Sequence, residues 1–469
     1  MAPLPLFALL TFWGRNKRMN KPTFFFYDLE TSGLSPREDR IMQFAGQRTD
    51  LDLNPIGGPV NLLVKLPDDT LPSPSAIAVT KITPQKTLAD GITEAEFAKL
   101  VTSEIFTPNT IAVGYNTVRF DDEFMRHLFW RTFYDPYEFE WKDGRSRWDL
   151  LDVVRMTRAL RPEGINWPVT ADGKATNRLE LITKLNQISH ENAHDAEADV
   201  QASIDVARLI KEKQPELFSF LFKIRGKNDV KKIVNLDNKR PFVYSSGRYS
   251  SKTNKTTVAF PLTSSRNGNI LVYDLRYNLE EILNDKERKS FYPVVKEFYF
   301  NRCPAVAPLS VLDKADGWQK IDLDAETVNK NLEILLKHPE FAEKMREEIE
   351  NKPEFPPAID PESALYDGFL NDRDRIRCEA VRNADANSLA DFNPDFIDER
   401  LHELLLHYKA KNFPQSLSDA ESKKWQAYRR ARLERQAPIF LEELEKIEDD
   451  YLKEELKLYF ESLNDSDYL

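Results

Sequence analysis

The sequence predicts an α/β domain with a mixed sheet, followed by a β-rich domain and an all-helical domain. A nearly continuous apolar run at 24–30, FFFYDLE, has the pattern of a central strand. Further strand-like runs alternate with helical segments up to about residue 214, an order typical of α/β folds. The chain has 469 residues, which is too long for a single ordinary core and predicts two or three domains.

The first domain combines strand patterns with helix-start signals. Thr93 and Glu96 form a capping box that predicts a helix from 93 onwards. The segment 121–133 is also helical in pattern, and further helices are expected to start near Trp148, Arg178 and Asp195. The predicted strands after the first cover 41–50 (IMQFAGQRTD), 60–67 (VNLLVKLP) and 110–116 (TIAVGYN).

Composition changes after the first domain. Twelve Lys or Arg face three Asp between Lys223 and Tyr277, a net charge of +9 in a chain of net charge −11. Short β-type runs alternate there with turn residues such as Asn267-Gly268. A Pro-rich stretch, 352–361, precedes a charged region with helical spacing of Leu, Tyr and Ile. The predicted domains are 21–214, 215–357 and 358–469, after an N-terminal extension, 1–20.

The N-terminal extension is apolar at 2–13 but too short to cross a bilayer. Its basic residues, Arg15, Lys17 and Arg18, follow the apolar run, which is the reverse of a secretory signal. We therefore interpret 1–18 as a disordered or mis-annotated extension, with Met19 as the natural start. No membrane association is expected.

Two cysteines occur, Cys303 and Cys378, far apart and without metal-ligand spacing. This usage favours a reducing compartment and argues against disulfides and zinc. A cytoplasmic location is therefore predicted.

Asp28 and Glu30 are the first candidate functional residues. They lie two apart at the end of an apolar strand, so both side chains point to the same face. The alternative is an ordinary strand end with solvated acids.

Other acids and one histidine follow later in the chain. Asp121 and Asp122 come just after the strand at 110–116, at the start of a helix. The alternative role for one of them is helix capping alone. Asp199 lies next to the apolar stripe of a helical segment. His194 precedes it by five residues, about 500° of helix rotation, so the two cannot share a helix face. His194 is therefore expected on the loop or first turn before that helix.

The order and separation of three features resemble the DEDD exonucleases of the histidine-containing subclass. The features are ETSG after a strand aspartate, Asp121, and the His194-x4-Asp199 spacing. Phosphodiester hydrolysis of this type uses two divalent ions about 4 Å apart, held by hard oxygen ligands. The resemblance implies Asp28, Glu30 and Asp199 as metal ligands, with Asp28 bridging two Mg²⁺ ions that Mn²⁺ can replace. Asp121 would support the second ion, and His194 would be the general base.

Longer blocks resemble the bacterial exodeoxyribonuclease I family: 114–137, 146–168, 192–200, LYDGF at 365–369 and KNFP at 411–414. That family implies a ribonuclease H-like exonuclease domain, an SH3-like β domain and a helical C-terminal domain in a C-shaped monomer with a basic channel. It also implies processive 3′→5′ hydrolysis of single-stranded DNA to 5′-mononucleotides in DNA repair and recombination.

The resemblance also supplies candidate contacts. Arg161 is the candidate for binding the acidic C-terminal tail of single-stranded-DNA-binding protein. Aromatic residues would stack on bases and basic residues would hold phosphates, although core packing or solvated surface charge could explain them too. Besides Glu30, the candidate DNA-binding residues are Arg126, Tyr137, Trp141, Arg155, Arg178, Lys239, Arg240, Arg248 and Tyr366.

Two alternatives remain at this point. An exoribonuclease or proofreading exonuclease would use the same carboxylates, but such compact enzymes need little beyond the first domain. A catalytically silent DNA-binding scaffold would lack a ligand residue, whereas every one is present here.

Overall fold

A computed structural model describes residues 21–190, 195–285, 287, 290–353, 356–358 and 360–465. The predictions about 1–18 and His194 therefore fall outside the described residues. No helix in the described part of the chain is long and apolar enough to cross a membrane.

The first sheet has five strands in the order β3-β2-β1-β4-β5. β1 pairs antiparallel with β2 and parallel with β4, so the sheet is mixed and β1 is its central strand, as predicted. The strands are β1 (Thr23–Thr31), β2 (Ile41–Thr49), β3 (Val60–Leu63), β4 (Thr110–Gly114) and β5 (Ser146–Asp149).

Helices cover this sheet and continue the chain into the second domain. The Thr93–Glu96 capping box is formed, as predicted. The helix predicted to start near Trp148 begins at Leu150. Trp148 itself lies in β5, and its side chain packs into the core beside Phe24. The helices are α1 (Pro74–Thr80), α2 (Pro84–Asp90), α3 (Glu94–Leu100), α4 (Asp121–Arg131), α5 (Leu150–Leu160), α6 (Leu179–Leu185), α7 (Ala196–Lys213), α8 (Pro215–Lys223) and α9 (Lys227–Ile233).

β1 is buried on both faces because its side chains alternate between two cores. Phe24 and Phe26 pack with residues of α7, such as Val200. Phe25 and Tyr27 pack into the core on the other face. Position 28 continues the face of Phe24 and Phe26, so the first predicted acid points toward α7.

The second sheet is antiparallel, in the order β10-β6-β7-β8-β9, and confirms the predicted β-rich region. Asn267 and Gly268 form the predicted turn, and both have positive φ, at 58° and 71°. Four helices accompany this sheet. The elements are β6 (Phe242–Ser245), β7 (Thr256–Ser264), β8 (Ile270–Asp274), α10 (Leu279–Asn284), β9 (Val295–Phe298), β10 (Ala305–Pro308), α11 (Gly317–Lys320), α12 (Ala325–Leu336) and α13 (Pro339–Glu350).

The last region is helical, as predicted, and packs on the first domain. Leu433 and Phe440 join Met42 and Leu66 of the first domain in one apolar cluster. Trp130 and Phe133 join Tyr408 in another. The helices are α14 (Asp372–Asn383), α15 (Ala386–Ala390), α16 (Arg400–Asn412), α17 (Asp419–Leu444) and α18 (Asp450–Asp465).

Short helical turns link these elements. Val101–Ile105 continues α3 as a π-helix. The 3₁₀ turns are Thr117–Arg119, Glu138–Glu140, Lys142–Gly144, Ser251–Thr253, Arg266–Gly268, Leu309–Asp313, Pro361–Tyr366 and Pro414–Ser416.

Buried ion pairs also join the first and last domains, and we call them the interdomain network: Arg40, Asp69, Asp360, Glu362, His407, Lys411 and Arg432. Lys411 Nζ lies 2.5 Å from a Glu362 oxygen and 2.9 Å from an Asp69 oxygen. Arg40 binds the other Glu362 oxygen, and its backbone N–H donates to Ser32, next to the end of β1. The network therefore ties the last domain to the loop that follows the central strand.

Candidate metal centre

Three carboxylates from two elements converge at the carboxyl end of β1. Oxygens of Asp28, Glu30 and Asp199 lie within 4.8 Å of one another. Each of the three residues is half-buried, so their oxygens remain accessible. The predicted ligand residues are therefore brought together by the fold.

Helix α7 supplies the third carboxylate because of where it begins. Asp195 is its N-cap and accepts hydrogen bonds from the N–H groups of Glu197 and Ala198. Asp199 then falls in the first turn, where the positive end of the helix favours an acid. The helix begins at Ala196, so position 194 precedes it, although His194 itself lies outside the described residues.

The strand geometry changes at this point. The β1–β2 register shifts between Glu30 and Thr31. Such bulges interrupt a ladder and redirect side chains next to functional sites. Glu30 therefore lies at the last regular position of the ladder, beside the open edge of the site.

The acids of the cluster raise one another's pKa values. Burial, Asp121 and Asp199 raise the pKa of Asp28 well above its ordinary value. Burial and the charges of Asp28 and Asp199 raise the pKa of Glu30 to about 9. In the described part of the chain, no Lys or Arg forms an ion pair with Asp28 or Glu30. Hard oxygen donors held this way are suited to divalent cations.

Asp121 and Asp122 take different places. Asp121 is buried and its Oδ1 accepts a hydrogen bond from the N–H of Leu29, 3.0 Å away, between the two acids of β1. Asp122 instead binds Tyr27 and Arg147 in the core. Neither caps α4 through its side chain. Asp121 is therefore beside the cluster but outside the group of three converging oxygens.

His190 is a residue that the sequence reasoning missed. Its Nε2 lies 2.6 Å from Asp199 Oδ1, and its Nδ1 lies 3.1 Å from Thr183 Oγ1. The imidazole thus connects the last turn of α6 to a predicted metal ligand. Its spacing of nine residues from Asp199 has no meaning along one helix, so only the fold reveals the contact.

A cavity of about 420 Å³ opens beside the cluster and contains Asp28 and Asp199 in its wall. Arg155 and Arg178, two predicted DNA contacts, line the same cavity. Arg178 is 66% exposed while paired with Glu180, whereas Arg155 is held by Asp152 at 2.5 Å. The cavity therefore has an acidic wall and a basic wall.

Of the remaining predicted contacts of the first and last domains, Tyr137 lines a second groove, which Phe369 also lines. Trp141 is 64% exposed, which excludes core packing for this residue. Tyr137 is half-buried, with its ring 6.2 Å from that of Phe369. Phe369 is 83% exposed. It was not among the predicted DNA contacts, although it is the last residue of the LYDGF block at 365–369.

Arg126 and Tyr366 are already engaged within the protein. The Arg126 guanidinium is buried, 2.6 Å from both Glu123 and Glu140. The Tyr366 hydroxyl donates to Glu123. Both residues stay predicted DNA contacts, and within the protein they share Glu123 as a partner.

The middle-domain candidates are spread apart. Lys239 and Arg240 are exposed just before β6. Arg248 instead lies against Tyr244, its guanidinium 3.1 Å from the hydroxyl. Arg161 follows α5 and donates to the carbonyls of Leu160 and Val311, so it lies between the first and middle domains.

Three family models match consecutive parts of the chain. Residues 25–207 match a model described as Exonuclease. Residues 225–350 match the Exonuclease I SH3-like domain, and 359–464 match the Exonuclease I C-terminal domain.

Known proteins match over nearly the whole length. Exodeoxyribonuclease I of Haemophilus influenzae is 38% identical over 93% of this chain and 96% of its own length. The crystal structure of E. coli exonuclease I with a dA16 oligonucleotide superposes with a TM-score of 0.89, at 36% identity, over 94% of this chain and all of that chain. A zinc-bound form of the E. coli enzyme with single-stranded DNA superposes with a TM-score of 0.88 at 35% identity, over 95% of this chain and all of that chain. Mitochondrial oligoribonuclease of Bos taurus is 28% identical over only 29% of this chain and 68% of its own length.

Proposed function

The chain belongs to the exodeoxyribonuclease I family, and on that premise we propose that it hydrolyses single-stranded DNA from the 3′ end to 5′-mononucleotides in DNA repair and recombination. The observation that supports this function best is the convergence of Asp28, Glu30 and Asp199, because Asp28 and Asp199 also line an open cavity. The exoribonuclease alternative is weaker, since the oligoribonuclease likeness spans only 29% of the chain.

The enzyme depends on divalent metal ions, and we propose that these are two Mg²⁺ ions, which Mn²⁺ can replace. The donor set fits this chemistry because all three converging groups are carboxylates, the hard ligands that Mg²⁺ prefers. Asp28, Glu30 and Asp199 would hold the ions, with Asp121 supporting the second. When bound, the ions would activate water and stabilise charge on the scissile phosphate.

The chain's own residues would handle the proton and the strand. His194 is the proposed general base, because a neutral imidazole before α7 can accept a proton from water beside Asp199. Arg178 and Arg155, on the basic wall, would hold phosphates of the terminal nucleotides. Glu30 would also contact the substrate.

The rest of the strand would follow the exposed groove toward the last domain. Tyr137 and Trp141 can stack on bases without reading sequence, and Arg126 and Tyr366 lie beside them. Lys239, Arg240 and Arg248 would hold phosphates in the middle domain. We propose the domain bounds 21–214, 215–357 and 358–469 for a C-shaped enzyme that encloses the strand and is therefore processive.

We also propose a cytoplasmic monomer that binds the acidic C-terminal tail of single-stranded-DNA-binding protein through Arg161. Arg161 lies where the first and middle domains meet, so a peptide there need not block the metal cluster. Both cysteines of the described residues are free and buried, in keeping with a reducing compartment.

A comparison of substrates tests the proposed function. We expect Mg²⁺-dependent release of mononucleotides from single-stranded DNA with a 3′ end, and much slower release from RNA or blunt duplex. Labelling each end in turn reports the direction. Faster release from RNA, or release that begins at the 5′ end, would contradict the proposal.

A further inference from the structure

Lys255 of the middle domain lines the cavity beside the carboxylates of the candidate metal centre in the first domain. It shares that cavity with Asp28, Asp199, Arg155 and Arg178. Position 255 is the last residue of the loop between β6 and β7, well beyond α7, which ends at Lys213. The candidate site is therefore completed by a second domain.

The backbone holds Lys255 in this place. Its N–H donates to the carbonyl of Ser250, and its carbonyl accepts from the N–H of Ser246, 2.8 and 2.9 Å away. Asn254 and Lys255 both have positive φ, at 50° and 60°. Non-glycine residues adopt this conformation at a cost, and such strain concentrates at functional sites.

The same loop packs on the basic wall. A Cβ at Gly247 would lie only 2.8 Å from Arg155 Nη2, so the absence of a side chain lets the loop approach α5. Two cations, Arg155 and Lys255, are thereby held on one side of the cavity.

Lys255 and Arg155 place two positive charges at the cavity. Arg155 is paired with Asp152, but Lys255 has no acidic partner among the described residues. Burial and the neighbouring Arg155 lower the pKa of the Lys255 amine. An anion between the two cations would relieve this repulsion.

We propose that Lys255 binds a backbone phosphate of the nucleic-acid strand in the catalytic cavity, so that the middle domain positions the strand end for hydrolysis. This inference rests on the proposed function. It differs from the sequence-based choice of Arg248. Arg248 lies in the same loop as Lys255, but its guanidinium contacts the hydroxyl of Tyr244 in β6.

The salt dependence of strand binding tests the proposal. Fluorescence anisotropy in EDTA would follow a labelled oligothymidylate with wild-type enzyme and Lys255→Met, over a series of salt concentrations. Loss of one phosphate contact should reduce the slope of log K against log salt by about 0.7. Lys255→Arg should restore the slope.

Lys252 offers a matched control, since it is exposed in the same loop and absent from the cavity wall. Lys252→Met should keep the wild-type slope. Lys255→Asn provides a second variant if Lys255→Met does not fold, because asparagine tolerates positive φ and removes the charge. Its slope should also fall by about 0.7.

A product phosphate is the other source of the same chemistry. Inhibition by dTMP is therefore measured in parallel. An unchanged salt slope in folded Lys255→Met and Lys255→Asn would overturn the proposal. Weaker inhibition by dTMP with an unchanged slope would also overturn it, because Lys255 would then contact only the product. Failure of the wild-type enzyme to bind or degrade the strand would instead overturn the proposed function.

Discussion

Two acidic clusters in this protein have similar geometry and opposite electrostatics. Asp28, Glu30 and Asp199 bring their oxygens within 4.8 Å of one another, and so do the ligand atoms of Asp360, Glu362 and His407. In the first cluster, burial and like charges raise the pKa of Asp28 and Glu30. In the second, burial opposes ionisation of Glu362, but Lys411 and Arg40 outweigh it and hold the pKa well below its ordinary value.

The difference separates a site for cations from a structural network. Cations of the protein already occupy the second cluster, so a metal ion would have to displace Lys411 or Arg40. In the first cluster, Asp28 and Glu30 have no Lys or Arg partner among the described residues. Ionising them together destabilises the metal-free fold and favours metal binding. Proximity of ligand atoms alone therefore does not identify a metal site, and the charges around it decide.

The largest expected effect comes from removing a ligand of the first cluster. Asp28→Asn should lower nucleotide release by roughly a thousandfold or more, because several kcal/mol of charge stabilisation are lost with the metal. Strand binding in EDTA should remain. Calorimetric titration with Mn²⁺ should show loss of a bound ion.

Asp205→Asn is the control, since Asp205 lies on α7, the helix that carries Asp199, and pairs with Arg208 outside the cluster. It should keep full activity. Wild-type rates in Asp28→Asn would show that the metal assignment is wrong.

The second cluster should respond in stability, not in metal binding. Glu362→Gln keeps the shape but leaves Arg40 and Lys411 without their shared acid. Breaking a buried pair on one side costs about 3–5 kcal/mol in the free energy of unfolding. Urea unfolding measures this loss, and Mn²⁺ affinity should not change.

Glu442→Gln is the comparison variant. Glu442 lies near the end of α17 and pairs with Lys446 just beyond it, and both side chains are exposed. It should leave the unfolding midpoint unchanged. A loss for Glu362→Gln no larger than for Glu442→Gln would remove the contrast between the clusters.

His190 should have an intermediate effect on the first cluster. Its contact with Asp199 orients that carboxylate, and loss of such an outer contact typically costs 10–100-fold in metal affinity. His190→Ala should therefore weaken Mn²⁺ binding by roughly 10-fold or more, while His190→Gln, which keeps a donor, recovers part of it. His338→Ala serves as the control, since His338 is a half-buried histidine of the middle domain that contacts Glu340. Equal Mn²⁺ affinity in all three variants would exclude this role.

The pH dependence of stability gives the smallest effect, at most about 1.4 kcal/mol per pH unit and group. The pKa of Glu30 is raised from 4.5 to about 9, so its contribution to metal-free stability is full below pH 4.5 and is lost as pH rises toward 9. For Asp69, burial is outweighed by Lys411 and Arg432, which lower its pKa from 3.8 to about 2. That contribution is present above pH 3.8 and is lost as pH falls toward 2.

Thermal unfolding in EDTA distinguishes the two groups. Glu30→Gln should flatten the fall of Tm between pH 5 and 9, as these pKa values imply, and saturating Mg²⁺ should do the same in the wild-type enzyme. Glu30→Gln should not alter the loss of Tm at acidic pH. A wild-type Tm in EDTA that rises between pH 5 and 9 would contradict the raised pKa of Glu30.

Local patterns were enough to predict much of the fold. The apolar run of β1, the Thr93–Glu96 box and the Asn267-Gly268 turn each depend on neighbouring residues, and each formed as expected. The helix expected near Trp148 also formed, from Leu150, and the pairing of Trp148 with Val113 marks the strand that precedes it.

The candidate site divides in the same way. Asp28 and Glu30 share a face because strand side chains alternate, which the sequence alone determines. That Asp199 meets them, that Asp122 turns into the core while Asp121 stays beside the site, and that His190 and Lys255 reach it, were decided by packing between distant elements.

The sequence by itself determined which chemistry the protein carries, because carboxylates, a histidine and their spacing are properties of the chain. The tertiary structure decided which acids stay unbalanced. Arg40 of the first domain neutralises Glu362 across a domain boundary, 322 residues away in the chain, together with Lys411 of the last domain. No cation among the described residues does the same for Glu30. Charge balance depends on distances through space, and those exist only once the domains have packed.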